Sequence, residues 1–244
     1  MEIHGKTALV TGGAKRIGRA IALALAQEGM NLILHYHHSS REARGTQAEA
    51  ERLGVRVHLI RANLEKLGEV NQLARKAFRI APRIHLLVNN AAVFYKTPFG
   101  KIREKDWDYF FDINLKAPFF LAQRIGLEMF RQKEGKIINL VDWTAFRPYA
   151  GYLPYCASKA GLVAVTESLA KILAPHVQVN AIAPGPILPA AGSTPKENRK
   201  VVQRTPLKRF GEPEDIAEAV RFLVKVTDFV TGAVLPVDGG NLIA

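Results

Sequence analysis

The chain alternates strand-like and helix-like segments from one end to the other. Short apolar runs with the composition of buried strands recur at Thr7–Thr11, Asn31–Tyr36, Val55–Ile60, Ile84–Asn89, Lys136–Val141, Val177–Ile182 and Ala233–Val237. Segments with helical spacing of apolar residues separate them, among them Arg16–Glu28, Leu115–Lys133 and Pro154–Ala174. Because parallel strands need a helix-length crossover, this alternation predicts a seven-stranded parallel sheet with helices on both faces.

Length and composition indicate a single α/β domain over residues 1–244. The chain is 48% hydrophobic and 23% charged, which is ordinary for a globular protein with a sizeable core. No stretch reaches the roughly 18 uncharged apolar residues of a membrane span, and the start lacks the order of a signal peptide. We therefore expect a cytoplasmic protein without a membrane partner. Residues 185–211 are rich in proline, glycine and lysine, and we expect a mobile loop there that covers the substrate.

The formal net charge is +12, which raises the question of nucleic-acid binding. Lysine and arginine are spread along the chain, however, with no basic tail and no basic stripe interleaved with aromatic residues. We expect no nucleic-acid partner. The charge fits attraction of anionic small molecules, or of an acidic protein, better.

The single cysteine, Cys156, excludes an intrachain disulfide and fits a reducing compartment. Because it lies beside Tyr155, a nucleophilic thiol has to be considered. The sequence offers this thiol no evident acid–base partner, so a small space-filling residue on a helix is the favoured interpretation.

Glycines mark the point where the first strand passes into the first helix, in Thr11-Gly12-Gly13-Ala14-Lys15-Arg16-Ile17-Gly18. Gly12 permits a tight turn, Gly18 lets the helix pack closely, and the helix N-terminus presents N–H groups to a pyrophosphate. A glycine pattern alone is weak evidence, but a strand before it and a helix after it are the context that a dinucleotide site requires. The sheet is therefore predicted to be a Rossmann fold.

The end of the second strand, His35-Tyr36-His37-His38-Ser39, carries no aspartate or glutamate. An NAD site needs an acid there for the ribose 2′-hydroxyl, whereas the 2′-phosphate of NADP needs cations and hydroxyl groups. Arg16, His38 and Ser39 supply these, so NADPH is the predicted cofactor. The histidines alternate in direction along the strand, and no cysteine or carboxylate joins them, so we expect no metal site.

Tyr155 and Lys159 lie four residues apart on a predicted helix. Positions i and i+4 share a helix face, so the phenol and the ammonium group can act together. A nearby ammonium group favours the phenolate, so we expect Lys159 to lower the pKa of Tyr155. Tyr155 would then donate a proton in reduction and accept one in oxidation.

Over its whole length the chain resembles the short-chain dehydrogenase/reductase family. The matching segments are Thr11-Gly12…Gly18, Asn89-Asn90-Ala91, Asn114, Tyr155…Lys159, Asn180, Pro184-Gly185 and Asp238-Gly239-Gly240. The resemblance implies that Asn114 holds a water in a proton relay from Lys159, and that Lys159 hydrogen-bonds the nicotinamide ribose. It also implies a homotetramer packed through the helices near Leu115–Lys133 and Pro154–Ala174.

The residues expected to contact the cofactor extend from the glycine turn to the nicotinamide. They are Gly12, Arg16, Ile17, Gly18, His35, His38, Ser39, Asn63, Leu64, Asn90, Ala91, Tyr155, Lys159, Pro184, Gly185 and Ile187. Asn63 stands where the family usually has an aspartate that accepts from the adenine amino group. Its amide oxygen can still accept such a bond.

Asp142 follows the fifth strand, where the family usually has a catalytic serine. An ionised carboxylate only accepts hydrogen bonds and would repel the alkoxide that forms when a ketone is reduced. A substrate with C=N bonds and ring N–H donors could use it, and a protonated Asp142 could pass its proton on. The expected catalytic set is therefore Asn114, Asp142, Tyr155 and Lys159.

The combination of Arg16, His35-Tyr36-His37-His38-Ser39, Asp142 and Phe94 resembles the pteridine reductase branch of the family. In that branch the aromatic residue stacks on the pterin opposite the nicotinamide, so Phe94, Asp142 and Tyr155 are the expected substrate-binding residues. A loop aromatic that covers the core is the alternative for Phe94. Ala92 departs from the serine common in that branch, which puts one polar contact in doubt.

Three functional hypotheses follow from the sequence. The first is an NADPH-dependent reductase of a small substrate of the dihydropterin or dihydrofolate type, with a C=N heterocycle. The second is a 3-oxoacyl-acyl-carrier-protein ketoreductase, which the basic charge suits and Asp142 does not. The third is a non-catalytic, dinucleotide-binding regulatory protein, which the intact Asn114, Tyr155 and Lys159 disfavour.

Overall fold

The computed structural model describes residues 1–190 and 192–244, and within them seven parallel strands form one sheet in the order β3-β2-β1-β4-β5-β6-β7. The strands are β1 Thr7–Thr11, β2 Asn31–Tyr36, β3 Val57–Arg61, β4 Leu86–Asn89, β5 Gly135–Leu140, β6 Val177–Pro184 and β7 Val234–Val237. Five of the seven differ from the predicted bounds by one or two residues at an end, and β1 and β2 match them. The predicted α/β class and Rossmann-type sheet are confirmed.

Helices cover both faces of this sheet. They are α1 Arg16–Gln27, α2 Ser40–Glu51, α3 Leu67–Ile80, α4 Glu104–Phe111, α5 Ala117–Arg131, α6 Leu153–Ile172, α7 Pro195–Arg204 and α8 Pro213–Arg221. Alternate residues of β1 join opposite cores, because successive side chains of a strand point to opposite faces. Ala8 and Val10 pack with α1 and α8, whereas Leu9 packs with α3 and α5. This two-sided burial explains why the strands are nearly all apolar.

No helix in residues 1–190 and 192–244 has the length and apolar character needed to cross a membrane.

A π-helical turn, Asp112–Lys116, joins α4 to α5. The sequence predicts a helix that begins at Leu115, whereas in the structure α4 continues through this turn into α5. Such single-turn bulges inside helices are frequent at functional sites. Here the turn carries Asn114, which is completely buried.

The prediction of a loop over residues 185–211 is wrong in part, because the segment contains helix α7. The hydroxyl of Thr194 accepts from the Glu197 backbone N–H at 3.2 Å, and the Glu197 carboxylate accepts from the Thr194 N–H at 2.8 Å. This reciprocal capping, with Pro195 at the first helical position, is a helix-start signal present in the sequence. Position 191 lies outside the described residues, and the mobility of the segment stays a prediction.

Strand register brings the chemistry-bearing segments to one edge of the sheet. Val10 of β1 pairs with Val88 of β4, and Asn89 of β4 pairs with Asn139 of β5. In parallel strands the carboxyl ends lie at the same edge, which is where α/β sheets bind ligands. The residues that follow β1, β4, β5 and β6 therefore meet there.

Candidate active site

The turn after β1 has the shape that the glycine pattern predicts. Gly12 has a φ of +64°, in the left-handed region that favours glycine. A Cβ added to Gly18 would overlap the carbonyl oxygen of Gly12, so the turn and the helix can pack only with glycine at this position. Arg16, at the start of α1, also has a positive φ of 54° and is exposed. The turn after β1 fits a pyrophosphate at the N-terminus of α1.

The His35 side chain supports this turn through contacts with the backbone. The backbone N–H of Gly12 donates to His35 Nδ1 at 3.2 Å, and His35 Nε2 lies 3.0 Å from the carbonyl oxygen of Ala62. These contacts require the proton on Nε2. Burial lowers the pKa of His35 to about 4, so the ring is neutral. Both ring nitrogens are engaged with backbone, so the His35 side chain supports the turn instead of presenting a nitrogen to the cofactor.

The predicted 2′-phosphate site is open to solvent. Arg16 and His38 are exposed and Ser39 is half-buried, and the ring centroids of His37 and His38 lie 3.6 Å apart. No group of three or more His, Cys, Asp or Glu in the described part of the chain could hold a metal. The contacts of Arg16, His38 and Ser39 with a cofactor, and the expected absence of a metal, stay predictions.

The predicted adenine pocket lies after β3. The amide oxygen of Asn63 accepts from the backbone N–H of Glu65 at 3.0 Å, and the Asn63 N–H donates to the Glu69 carboxylate at 2.7 Å. Leu64 is buried beside it. Because a carbonyl oxygen has two lone pairs, the Asn63 amide oxygen can still accept from an adenine amino group. This contact with adenine stays a prediction.

Thr11 ties the glycine turn to the end of β4. Its hydroxyl oxygen accepts from the backbone N–H groups of Asn90 and Ala91 at 2.9 and 3.1 Å. The Asn90 amide donates in return to the carbonyl oxygens of Thr11 and Gly12. Asn90 therefore positions the cofactor turn, beyond its predicted contact with the cofactor. Thr11 is absent from the predicted site residues, although a threonine that ends a strand before a glycine is visible in the sequence.

Tyr155 and Lys159 lie on α6, buried against the end of β5. The Tyr155 hydroxyl donates to the Asp142 carboxylate at 2.7 Å. The Lys159 ammonium group donates to the carbonyl oxygen of Leu140 at 2.6 Å and lies 6.0 Å from the centre of the Tyr155 ring. The structure thus brings together three of the four predicted catalytic side chains.

Asp142 is held in place by the turn that follows it. Its second carboxylate oxygen accepts from the Thr144 backbone N–H at 2.8 Å and from the Thr144 hydroxyl at 2.6 Å. Asp142 thereby caps the short 3₁₀ turn Trp143–Ala145. Thr144, which sequence reasoning missed, fixes the carboxylate so that its other oxygen faces Tyr155.

Electrostatics at this centre correct one expectation. Burial, together with the negative charge of Asp142, raises the pKa of Tyr155 well above its usual value. The predicted lowering by Lys159 is therefore wrong in this structure, where the ammonium group bonds to Leu140. Burial also raises the pKa of Asp142, and it lowers the pKa of Lys159 to about 8. Tyr155 is a protonated acid at neutral pH, which suits a proton donor in reduction.

Asn114 links the loop after β4 to the catalytic helix. Its amide oxygen accepts from the Val93 N–H at 2.9 Å, and its amide nitrogen donates to the Val93 carbonyl and to the Ser158 hydroxyl. Ser158 in turn donates to the carbonyl oxygen of Tyr155. Asn114 thus fixes the position of Phe94, the next residue along, relative to Tyr155. Its predicted role in a water relay stays a prediction.

Phe94 lies at the opening of the site and belongs to a set of aromatic residues. Its ring meets Tyr155 edge-on, with centroids 4.8 Å apart, and lies parallel to Tyr152 at 4.7 Å. Tyr149 continues the set, 6.2 Å from Tyr152. We call Phe94, Tyr149 and Tyr152 the aromatic rim. Phe94 is 45% exposed, so it does not serve mainly to cover the core.

The predicted nicotinamide border follows β6. A Cβ on Gly185 would lie 2.5 Å from the Asp238 Cα, so this close approach requires glycine. Asp238 accepts from the backbone N–H of Gly240 at 2.9 Å, which closes the Asp238-Gly239-Gly240 turn against Gly185. Pro184 and Ile187 are buried on either side. The contacts of Ile17, Pro184, Gly185 and Ile187 with a cofactor stay predictions.

Comparisons with known proteins agree with this geometry. A family described as enoyl-(acyl carrier protein) reductase matches residues 12–241. The 3-oxoacyl-(acyl-carrier-protein) reductase FabG of Staphylococcus epidermidis is 36% identical over 96% of this chain and 98% of its own length. The 3-oxoacyl-(acyl-carrier-protein) reductase of Synechocystis is 37% identical over 98% of this chain and 97% of its own.

A solved structure from Sinorhizobium meliloti, assigned provisionally as a short-chain alcohol dehydrogenase, superposes with a TM-score of 0.93. It is 32% identical and covers 100% of this chain and 98% of its own. The chain belongs to the short-chain dehydrogenase/reductase family and is an NADP-dependent oxidoreductase. The non-catalytic hypothesis is thereby set aside. These relatives carry the name of the 3-oxoacyl alternative, so the comparisons favour it over the pteridine reductase branch.

The phosphate assignment can be tested at Arg16. Arg16→Gly removes the guanidinium group and keeps a residue that tolerates a φ of 54°. Because a charge-assisted hydrogen bond is lost, we expect the KM for NADPH to rise about tenfold or more and the KM for NADH less than about twofold. Steady-state kinetics with both cofactors measure this. Arg79→Gln, an exposed charge at the end of α3, is the control, and equal effects of Arg16→Gly on both cofactors would refute the assignment.

The role of Tyr155 as proton donor can be tested by Tyr155→Phe. This variant keeps the ring and removes the proton, so turnover should fall at least about 10²-fold while NADPH binding is largely kept. Cofactor fluorescence titration and turnover on the same preparation separate the two effects. Near-normal turnover of Tyr155→Phe would show that another group supplies the proton.

The pH dependence should reflect Lys159. Its pKa of about 8 means that the ammonium group is present below this pH and lost above it. Because the cation stabilises negative charge left on Tyr155, kcat/KM for reduction should fall as pH rises through about 8. The charge of Asp142 raises the pKa of Lys159, so Asp142→Asn should move this fall to lower pH. A profile that stays flat to about pH 10, or moves upward in Asp142→Asn, would contradict the assignment.

Proposed function

We propose that the chain uses NADPH to reduce a C=N bond in a flat nitrogen heterocycle of the dihydropterin or dihydrofolate type. The observation that carries this proposal is the 2.7 Å hydrogen bond between the Tyr155 hydroxyl and the Asp142 carboxylate. A carboxyl group thus occupies the place beside the catalytic tyrosine that a hydroxyl usually fills in the family.

The carboxyl group determines what the substrate must offer. An ionised Asp142 accepts hydrogen bonds from ring N–H or exocyclic amine groups, and it repels a developing alkoxide. One carboxylate oxygen of Asp142 already accepts two hydrogen bonds from Thr144, so the other oxygen remains for Tyr155 and the substrate. A nitrogen heterocycle satisfies this oxygen, whereas a simple ketone does not.

The exposed ring of Phe94 supports a flat substrate. It lies at the opening of the site, edge-on to Tyr155, where one of its faces can meet a heterocycle. Aromatic stacking of this kind contributes about 0.5–1.5 kcal/mol beyond area burial. Tyr152 covers one face of Phe94, and the ring is still 45% exposed.

The protein groups supply protons and charge to the reaction. When bound, NADPH supplies the hydride to the ring carbon. The Tyr155 hydroxyl, held protonated by burial and by Asp142, then donates its proton to the ring nitrogen. The Lys159 cation stabilises the charge left on Tyr155.

A second candidate is reduction of 3-oxoacyl groups on an acyl carrier protein. The relatives that carry this name are 34–37% identical over nearly the whole chain, and the net charge of +12 suits an acidic carrier. Asp142 in its protonated form could donate to a carbonyl oxygen. The choice between the two substrates depends on whether Asp142 acts as an ionised hydrogen-bond acceptor or as a protonated donor. Assembly as a homotetramer through α5 and α6, and a cytoplasmic location, complete the proposal.

Asp142→Ser distinguishes the two candidates. A serine hydroxyl can donate to a carbonyl oxygen, so the variant should lose at least about tenfold in kcat/KM for a dihydropterin and gain for a 3-oxoacyl ester. The measurement is the ratio of the two efficiencies in wild type and variant, with Asp142→Asn as the variant that keeps the shape and removes the charge. A wild type that ignores dihydropterins and reduces 3-oxoacyl esters well would reject the heterocycle in favour of the carrier-bound substrate.

A further inference from the structure

Helix α7 turns one charged edge toward the opening of the active site. Glu197, Lys200 and Arg204 are spaced i, i+3 and i+7, so they lie along one edge of the helix. Glu197 accepts from the Lys96 ammonium group at 3.2 Å. Lys96 comes two residues after Phe94, so the N-terminal end of this edge is tied to the aromatic rim.

The C-terminal end of the same edge carries Arg204, which lies on the same side of α7 as Glu197 and its partner Lys96. Burial raises the pKa of Tyr149, and the positive charge of Arg204 partly offsets this rise. Tyr149 neighbours Tyr152, whose ring is stacked on Phe94. The edge therefore runs alongside the opening through which a substrate reaches Tyr155.

Lys200 and Arg204 are exposed, and neither forms an ion pair with any residue in 1–190 or 192–244. Their spacing of i, i+4 places two like charges side by side, which disfavours the helix. The one carboxylate of α7, Glu197, is already engaged by Thr194 and Lys96. Lys196 and Arg199 add further exposed positive charge. The edge is thus a cationic strip without a counter-charge from the described chain.

We infer that Lys200 and Arg204 bind carboxylate groups on the part of the substrate that projects from the site. The inference rests on the proposed function and extends it, because it assigns the physiological substrate to heterocycles with an anionic tail, as in dihydrofolate. The two residues are about 6 Å apart along the helix axis, a spacing that one tail with two carboxylates spans. The tail passes the aromatic rim while the ring lies against Phe94.

The kinetic test compares two substrates that share a ring. In the double variant Lys200→Gln/Arg204→Gln, the KM for dihydrofolate should rise about fivefold or more, whereas the KM for dihydrobiopterin, which has no anionic tail, should change less than about twofold. Arg79→Gln/Lys171→Gln, which removes two exposed charges at the ends of α3 and α6, is the matched control for net charge. An equal change for both substrates, or none for dihydrofolate, would overturn the inference.

A binding arm separates this inference from the proposed function. The probe is p-aminobenzoyl-triglutamate, which has the tail and no pterin ring, titrated calorimetrically into the NADPH-loaded protein. Binding that weakens with added salt and is lost in Lys200→Gln/Arg204→Gln, but kept in Arg79→Gln/Lys171→Gln, supports the strip even if no pterin is reduced. Absence of such binding to the wild type overturns the strip, and failure to reduce dihydrobiopterin with tail binding intact refutes only the proposed ring.

Discussion

The parallel pairing of β4 with β5 and of β5 with β6 fixes where the reacting groups can lie. Buried side-chain bonds lock this register, because the Asn89 amide donates to Asn139 at 2.8 Å and the Asn139 amide donates to Thr166 of α6 at 2.9 Å. Helix α6 is thereby held against the carboxyl ends of β4 and β5. Asp142, which follows β5, then lies within hydrogen-bond distance of Tyr155 on α6. The catalytic centre is thus a consequence of sheet register more than of loop conformation.

The bond between Asp142 and Tyr155 in turn determines the chemistry of the centre. Burial raises the pKa of both groups, and the bond itself raises the pKa of Tyr155 further and lowers that of Asp142. Lys159 responds in the opposite direction, because burial disfavours its cation. The reaction type depends on the machinery shared across the family, and the substrate depends on the few groups beside Tyr155, so these pKa values bear on the proposed choice of substrate.

Much of this arrangement follows from sequence, and the exceptions have physical causes. The apolar runs predict β1 and β2 to the residue because burial on both faces dictates their composition. Helix α7 was missed because its apolar content is low, and only the Thr194 cap marks its start. The inward turn of His35 depends on tertiary contacts with Gly12 and Ala62, which no local pattern records. The pKa of Tyr155 was predicted in the wrong direction because helical spacing shows Lys159 as a neighbour and cannot show burial or the bond to Asp142.

We propose that Asp142 and Phe94 together select a flat nitrogen heterocycle. The most direct measurement is a crystal structure of the protein with NADPH and a dihydropterin bound. We predict a ring stacked on Phe94, with the nicotinamide on its other side and an Asp142 oxygen within hydrogen-bond distance of a ring or amine nitrogen. A dihydropterin that is absent from the site at saturating concentration, or that lies away from both Asp142 and Phe94, would contradict the account.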